Sequence, residues 1–210
     1  MPISSKKSLN KLHEEISICK QCLDLVKTRK NTVPGRGAPN SKLIIVGFYP
    51  EEVAGSKEGL PDTESRQDIL MKKMLAGAGL SLDTDTYITY LVKCTPQNAN
   101  IAEEGAGQKK YVPSEKHISN CINYFTEEIS IITPHIIVSL GIDASNIILR
   151  DFFSSARKHT DMSKLHMKLF ENPSFKLIPF YSLQEVLDGS VSELRYLEDF
   201  RNLSKLFRIV

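Results

Sequence analysis

The chain has 210 residues, with 27 basic and 25 acidic side chains for a formal charge of +2, 41% hydrophobic and 25% charged residues, 11 Gly and 10 Pro. These proportions exclude collagen-like, coiled-coil and disordered classes and describe an ordinary globular protein able to bury a core. No apolar run approaches the roughly 20 residues that span a bilayer, and the polar start from Met1 to Glu15 lacks a secretory signal's apolar stretch, so no membrane role and a cytoplasmic address are expected.

In chain order, Leu9, Leu12, Ile16, Leu23 and Val26 recur at helical spacing and predict a first helix from Ser8, as N-cap, to about Lys30. Val33 to Pro39 reads as a turn-rich linker, and Leu43-Ile44-Ile45-Val46-Gly47 as a buried parallel strand followed by a loop from Phe48 to about Glu64. Ser65 to Ala76 predicts a helix stopped by Gly77 and Gly79, and Thr86 to Val92 a second strand. Tyr87 and Tyr90 are expected on one face of that strand, with Tyr90 reaching the mouth of any pocket.

A polar insert without periodicity occupies 95–113, after which Pro113-Ser114-Glu115 opens a helix running to about Ile132. His135–Leu140 and Phe175–Phe180 predict two more strands, and Ile142–Phe153 and Ser192–Phe207 two more helices. Strands alternating with helices imply an α/β fold, a three-layer α/β/α sandwich with a short, mainly four-stranded parallel sheet, in one domain over 1–210. Ligands in such folds sit past the C-terminal ends of the strands, which directs attention to the loops after Gly47, Val92, Leu140 and Phe180.

Charge is uneven along the chain. Residues 1–42 carry a net +6, residues 43–150 a net −5 and residues 151–210 a net +1. The basic segment over 1–40 can follow a phosphate backbone or be a solvated helix face, and the acidic middle argues against a broad positive groove.

Four cysteines remain. Cys19 and Cys22 form a C-x2-C pair, Cys94 ends the second strand and Cys121 lies in a helix. Four thiolates around one centre suit Zn2+ or an iron-sulfur cluster, and spacing does not separate the two; buried free cysteines are the plain alternative.

Several blocks in order then resemble the family 4 uracil-DNA glycosylases, the iron-sulfur branch of the uracil-DNA glycosylase superfamily, over roughly residues 16–185. They are the cysteine pair, VPGRGAPNSKLIIVG against the family's VPGxGxxxAxIxxVG, YITYLVKCTPQN against YITNxVKCRPPxN, and PHIIVSLG against PxxIVxLG. The resemblance implies that Cys19, Cys22, Cys94 and Cys121 ligate a 4Fe-4S cluster, with Zn as the alternative metal, that DNA is the partner and that the activity is excision of uracil in base repair. The gap between Cys94 and Cys121 is longer than the family usually shows, and the AEEGAGQKKY insertion is expected to loop out.

The functional positions change type. Where the family's GEAPG motif places a water-activating Glu, this chain has Phe48, followed by Tyr49, Pro50 and Glu51. Asp62 stands where a Phe stacks on the flipped base, Tyr90 where an Asn reads the uracil edge, and Ser182 where a His stabilises the departing anion. A phenol cannot reproduce the paired donor and acceptor of an amide, and an aspartate cannot stack.

Three functions follow as expectations. The first is a glycosylase-fold iron-sulfur protein that has lost uracil excision and serves as a binding module for DNA or a protein partner. The second is an enzyme of changed specificity in which Glu51 or Glu52 activates water for another base or nucleoside. The third is a zinc or redox-sensing protein with no nucleic-acid role.

Overall fold

A computed structural model describes residues 2–50, 65–96 and 112–209. Glu51, Glu52, Asp62 and most of the 95–113 insert lie outside the described residues.

The elements are α1 (Pro2–Ser17), α2 (Leu23–Thr28), β1 (Arg29–Thr32), β2 (Arg36–Gly37), β3 (Leu43–Gly47), α3 (Arg66–Gly77), β4 (Thr86–Tyr90), β5 (Cys94–Pro96), α4 (Glu115–Ile132), β6 (Ile136–Leu140), α5 (Ile142–Phe153), β7 (Phe170–Glu171), β8 (Lys176–Phe180), α6 (Leu183–Leu187) and α7 (Glu193–Ile209). A single 3-10 turn, Met162–Lys164, precedes β7. The main sheet runs β2-β4-β3-β6-β8-β7, its four inner strands parallel and its two short edge strands antiparallel. Every residue of β3 is buried, which is why the sequence there is continuously apolar instead of alternating.

Successive residues of the inner strands feed two cores. Ile44, Val46, Tyr87, Ile137 and Leu177 pack under α1, α4 and α5. Leu43, Ile45, Ile88, Val138 and Ile178 pack under α3, α6 and α7. Three layers result, with the strand ends of β3, β4, β6 and β8 opening at one edge. The helices start where their caps place them. Ser65 Oγ accepts from Asp68 N to begin α3, and Ser114 and His117 form a reciprocal capping box at α4. No helix among the described residues is long and apolar enough to cross a membrane.

A buried polar chain ties the sheet to the first layer. Lys93 Nζ donates to Glu128 Oε2 at 2.7 Å, and Thr89 Oγ1 and Tyr87 Oη donate to Glu128 Oε1 at 3.0 and 3.2 Å. His13 Nε2 lies 2.9 Å from Tyr87 Oη. Burial holds the Tyr87 phenol well above its usual range and pulls His13 down, although the nearby Glu128 charge opposes the latter shift.

Several expectations are corrected. The first helix does not run from Ser8 to Lys30: α1 starts at Pro2 and ends at Ser17, and the chain turns through the cysteine pair before α2. Cys22 is the N-cap of α2 at φ −112°, an extended conformation that no continuous helix allows, and Leu25 is buried while Leu23 is exposed. The linker from Val33 to Pro39 contains β2, paired with β4. The sheet gains two edge strands, and β1 and β5 form a separate antiparallel ribbon. Tyr87 and Tyr90 do not share a face, because three residues apart on a strand places them on opposite sides. Tyr87 enters the core under α1 and α4, and Tyr90 lines a cavity on the other side.

Candidate functional site

Gly47, Tyr90, Leu140 and Ser182 end or follow the four parallel strands, and between them lies a cavity of about 360 Å³. This is the edge where the topology exposes backbone and side chains not needed for packing. Phe48, Tyr49, Tyr90 and Ser182, separated widely in sequence, all line it. Gly47 lets the Tyr90 ring lie close over the strand end, since a Cβ there would come within 3.0 Å of Tyr90 Cδ1. The Phe48 and Tyr49 rings meet edge to face with centroids 5.3 Å apart.

The polar groups around the cavity are largely engaged with one another. Ser182 is the N-cap of α6, where its hydroxyl and its backbone N–H donate to Glu185 Oε2 at 2.7 and 2.8 Å. The hydroxyl proton is therefore committed to a carboxylate on its own helix. Arg36, from β2, ion-pairs with Asp68 in the first turn of α3, and Ser65 Oγ also donates to Asp68 at 2.8 Å. Asp143 adds a third carboxylate from the first turn of α5. Sequence reasoning named Phe48, Tyr49, Tyr90 and Ser182; it missed Arg36, Asp68, Asp143 and Glu185. Asp143 was findable, because it lies just past the third strand, in a loop position already singled out.

The second candidate region is a cysteine corner on the first layer. Cys19 follows α1, Cys22 caps α2, Cys94 opens β5 and Cys121 lies in α4. All four are free thiols, Cys94 and Cys121 buried and the other two half-buried. Three sulfurs accept N–H donors: Cys94 from Arg29 Nη1 at 3.3 Å, Cys121 from the Lys93 backbone at 3.3 Å, and Cys22 from Asn120 Nδ2 at 3.4 Å. Arg29 Nη2 also donates to the Cys19 carbonyl at 2.7 Å, so one guanidinium bridges two cysteine-bearing segments.

Burial pushes the Cys121 thiol up to about 11 and raises Cys94, with the charges of Cys19 adding to both shifts. Tyr124, raised by burial, hydrogen-bonds Cys19 at the same corner. Among the described residues, no three His, Cys, Asp or Glu side chains are arranged to hold a single metal ion. The chemistry of the donor set nevertheless fits a thiolate-bound centre: four free thiols on three segments, three already receiving N–H groups of the kind that stabilise a coordinated thiolate.

Comparison with known proteins adds the family. The family model described as the uracil DNA glycosylase superfamily matches residues 34–198. A protein of Sulfurisphaera tokodaii named type-4 uracil-DNA glycosylase is 31% identical over 202 residues, covering 95% of this chain and 84% of that protein. One of the same name from Archaeoglobus fulgidus is 30% identical over 203 residues, 95% of this chain and 93% of the relative. A third, from Thermotoga maritima, is 27% identical over 202 residues, 93% and 92% of the two chains.

Proposed function

The chain belongs to the uracil DNA glycosylase superfamily, and we propose that it is a DNA-binding, iron-sulfur member, one domain over 1–210, whose pocket does not excise uracil. The observation that carries this reading is the chemistry gathered at the strand-end cavity. Excising uracil requires a group to position water, a donor–acceptor pair to read the base edge, and a donor to stabilise negative charge on the departing base. At the cavity positions that match those roles by resemblance stand Phe48, Tyr90 and Ser182. A phenyl ring activates no water. One phenol cannot supply the two complementary edge contacts that let an amide discriminate. The Ser182 proton is held by Glu185, and the two carboxylates not matched by Arg36, those of Asp143 and Glu185, oppose an anion instead of stabilising it.

Cys19, Cys22, Cys94 and Cys121 would hold the cluster, and the resemblance to the family 4 enzymes, the iron-sulfur branch, favours a 4Fe-4S group over zinc. When bound, the cluster would supply a covalent tie between the α1–α2 turn, β5 and α4, a structural role that closes long loops. The chain's own residues prepare that tie: Arg29 joins the Cys19 and Cys94 segments, and the Lys93–Glu128 pair fixes the backbone that donates to Cys121. DNA as partner follows from what the relatives are named for. The acidic middle of the chain sets the expectation of weak binding that falls with salt.

The test is a base-release assay on uracil in single- and double-stranded DNA with anaerobically prepared, metal-loaded protein, beside a DNA-binding titration at two salt concentrations. Binding that weakens with salt and no uracil release is the expected result. Release above that of a heat-killed control overturns the loss of excision, binding at neither salt concentration overturns the DNA assignment, and a colourless, zinc-containing preparation overturns the cluster.

A further inference from the structure

We propose that the strand-end cavity recognises a planar base that carries positive charge, an N-alkylated purine nucleotide. This rests on reading the cavity as the base pocket, and it names the class of base that the pocket accepts in place of uracil.

The first argument is charge. Among the described residues lining the cavity, Arg36 is the only cation, and its charge is matched by its ion pair with Asp68. Asp143 and Glu185 remain, with no Lys or His beside them on the lining. The net side-chain charge of the lining is therefore negative. A neutral pyrimidine gains little from it and an anion is repelled, whereas a cation is attracted, and more strongly inside a cleft than in bulk water.

The second is the wall chemistry. Phe48, Tyr49 and Tyr90 are all lining residues of the one cavity, Phe48 and Tyr49 packing also against the core and the Tyr90 ring lying over Gly47 at the strand end, and the electron-rich face of an aromatic ring attracts a planar cation beyond what area burial supplies. Size is compatible: about 360 Å³ lies in the range of pockets that enclose small ligands, roughly 300–1,000 Å³. Alkylation of guanine at N7 or of adenine at N1 while the base is attached to its sugar gives a flat, stackable ring that carries a positive charge at mildly acidic pH. That combination answers both features of the cavity. An unmodified base answers only the aromatic walls.

The test measures binding of the full-length, metal-loaded protein to 1-methyladenosine and 7-methylguanosine at mildly acidic pH, where both are cations, against adenosine, guanosine and uridine. Titration calorimetry reads affinity, and because the chain has no Trp, quenching of tyrosine emission gives a second signal. The methylated nucleosides should bind about tenfold tighter than their unmethylated parents. Asp143→Asn, a conservative change at an exposed residue, should shrink that preference severalfold, and Tyr90→Leu should do the same, with thermal melting confirming that each variant is folded. Equal affinity for methylated and unmethylated nucleosides, or tighter binding of uridine, overturns the inference and leaves the lost-excision reading standing. Uracil release in the preceding assay overturns that reading, whatever the nucleosides do.

Discussion

Removing the carboxylate of Glu128 should cost far more than its distance from the cavity suggests. The Lys93 and Glu128 side chains are 2% and 0% exposed and 2.7 Å apart. In Glu128→Gln an amide oxygen at the Oε1 position can still accept from Tyr87 and Thr89, but the amide NH2 at the Oε2 position then faces the Lys93 ammonium, donor against donor. Leaving one member of a buried pair uncompensated typically costs about 3–5 kcal/mol. For a chain of this length each kcal/mol lowers the melting temperature by roughly 2–4 °C, so a loss of about 3 kcal/mol predicts a fall of roughly 6–12 °C. Urea unfolding followed by circular dichroism would measure it, with both proteins in the same metal state because a bound group stabilises the fold by mass action. The double variant Lys93→Met/Glu128→Leu removes both charges at similar volume and should recover most of the loss. If Glu128→Gln unfolds at the same urea concentration as the native chain, the burial of the pair does not have the energetic weight assigned to it.

Cys121→Ser should abolish the visible absorption of metal-loaded protein, because it removes one of the four proposed ligands at a buried position. In the intact chain, loading should release protons and become tighter as pH rises, since Cys121 near 11 and the raised Cys94 are both protonated thiols at neutral pH until a metal displaces the proton. His13, whose folded value lies below 6.5, binds its proton less readily than in the unfolded chain; stability should therefore decline as pH falls from about 6.5 through the folded value, and His13→Gln should flatten that slope in urea titrations. Gly37→Ala should destabilise by about 1–3 kcal/mol, because φ is +121° and the new Cβ would sit 2.3 Å from the Thr86 carbonyl oxygen.

The parallel sheet was legible because its strands are buried on both faces and so read as unbroken apolar runs, and the helices over 66–77, 115–132 and 142–153 because Ser65, Ser114 and the glycines punctuate them. What was not legible came from pairing that leaves no periodic trace. β2 and β7 are two residues each, too short for any alternation, and exist only because β4 and β8 offer a free edge. The break between α1 and α2 was hidden because Leu23 and Val26 continue a helical spacing that the turn at Cys19 and Cys22 interrupts. At the cavity, the resemblance located Phe48, Tyr90 and Ser182 by their place after strands. Arg36 and Glu185 carry no such marker, since the one depends on a sheet edge and the other on a capping box.

The cavity positions also do structural work, which bears on whether the residues that the family resemblance assigns to uracil excision could be introduced one at a time. Phe48 packs its ring against the core beneath α4, and Ser182 starts α6 through a reciprocal bond with Glu185. Ser182→His would remove a helix cap worth about 1 kcal/mol and release the Glu185 carboxylate beside any anion forming in the cavity. Phe48→Glu would place a charge against the apolar packing of that core, where desolvation favours its protonated form, the form that cannot activate water. Neither change supplies the missing edge contact at Tyr90, whose ring is accommodated over Gly47. Each of these residues lies beyond the last paired strand residue or at its very end, so the pairing of the sheet does not depend on their side chains, whereas the α6 cap and the packing beneath α4 do.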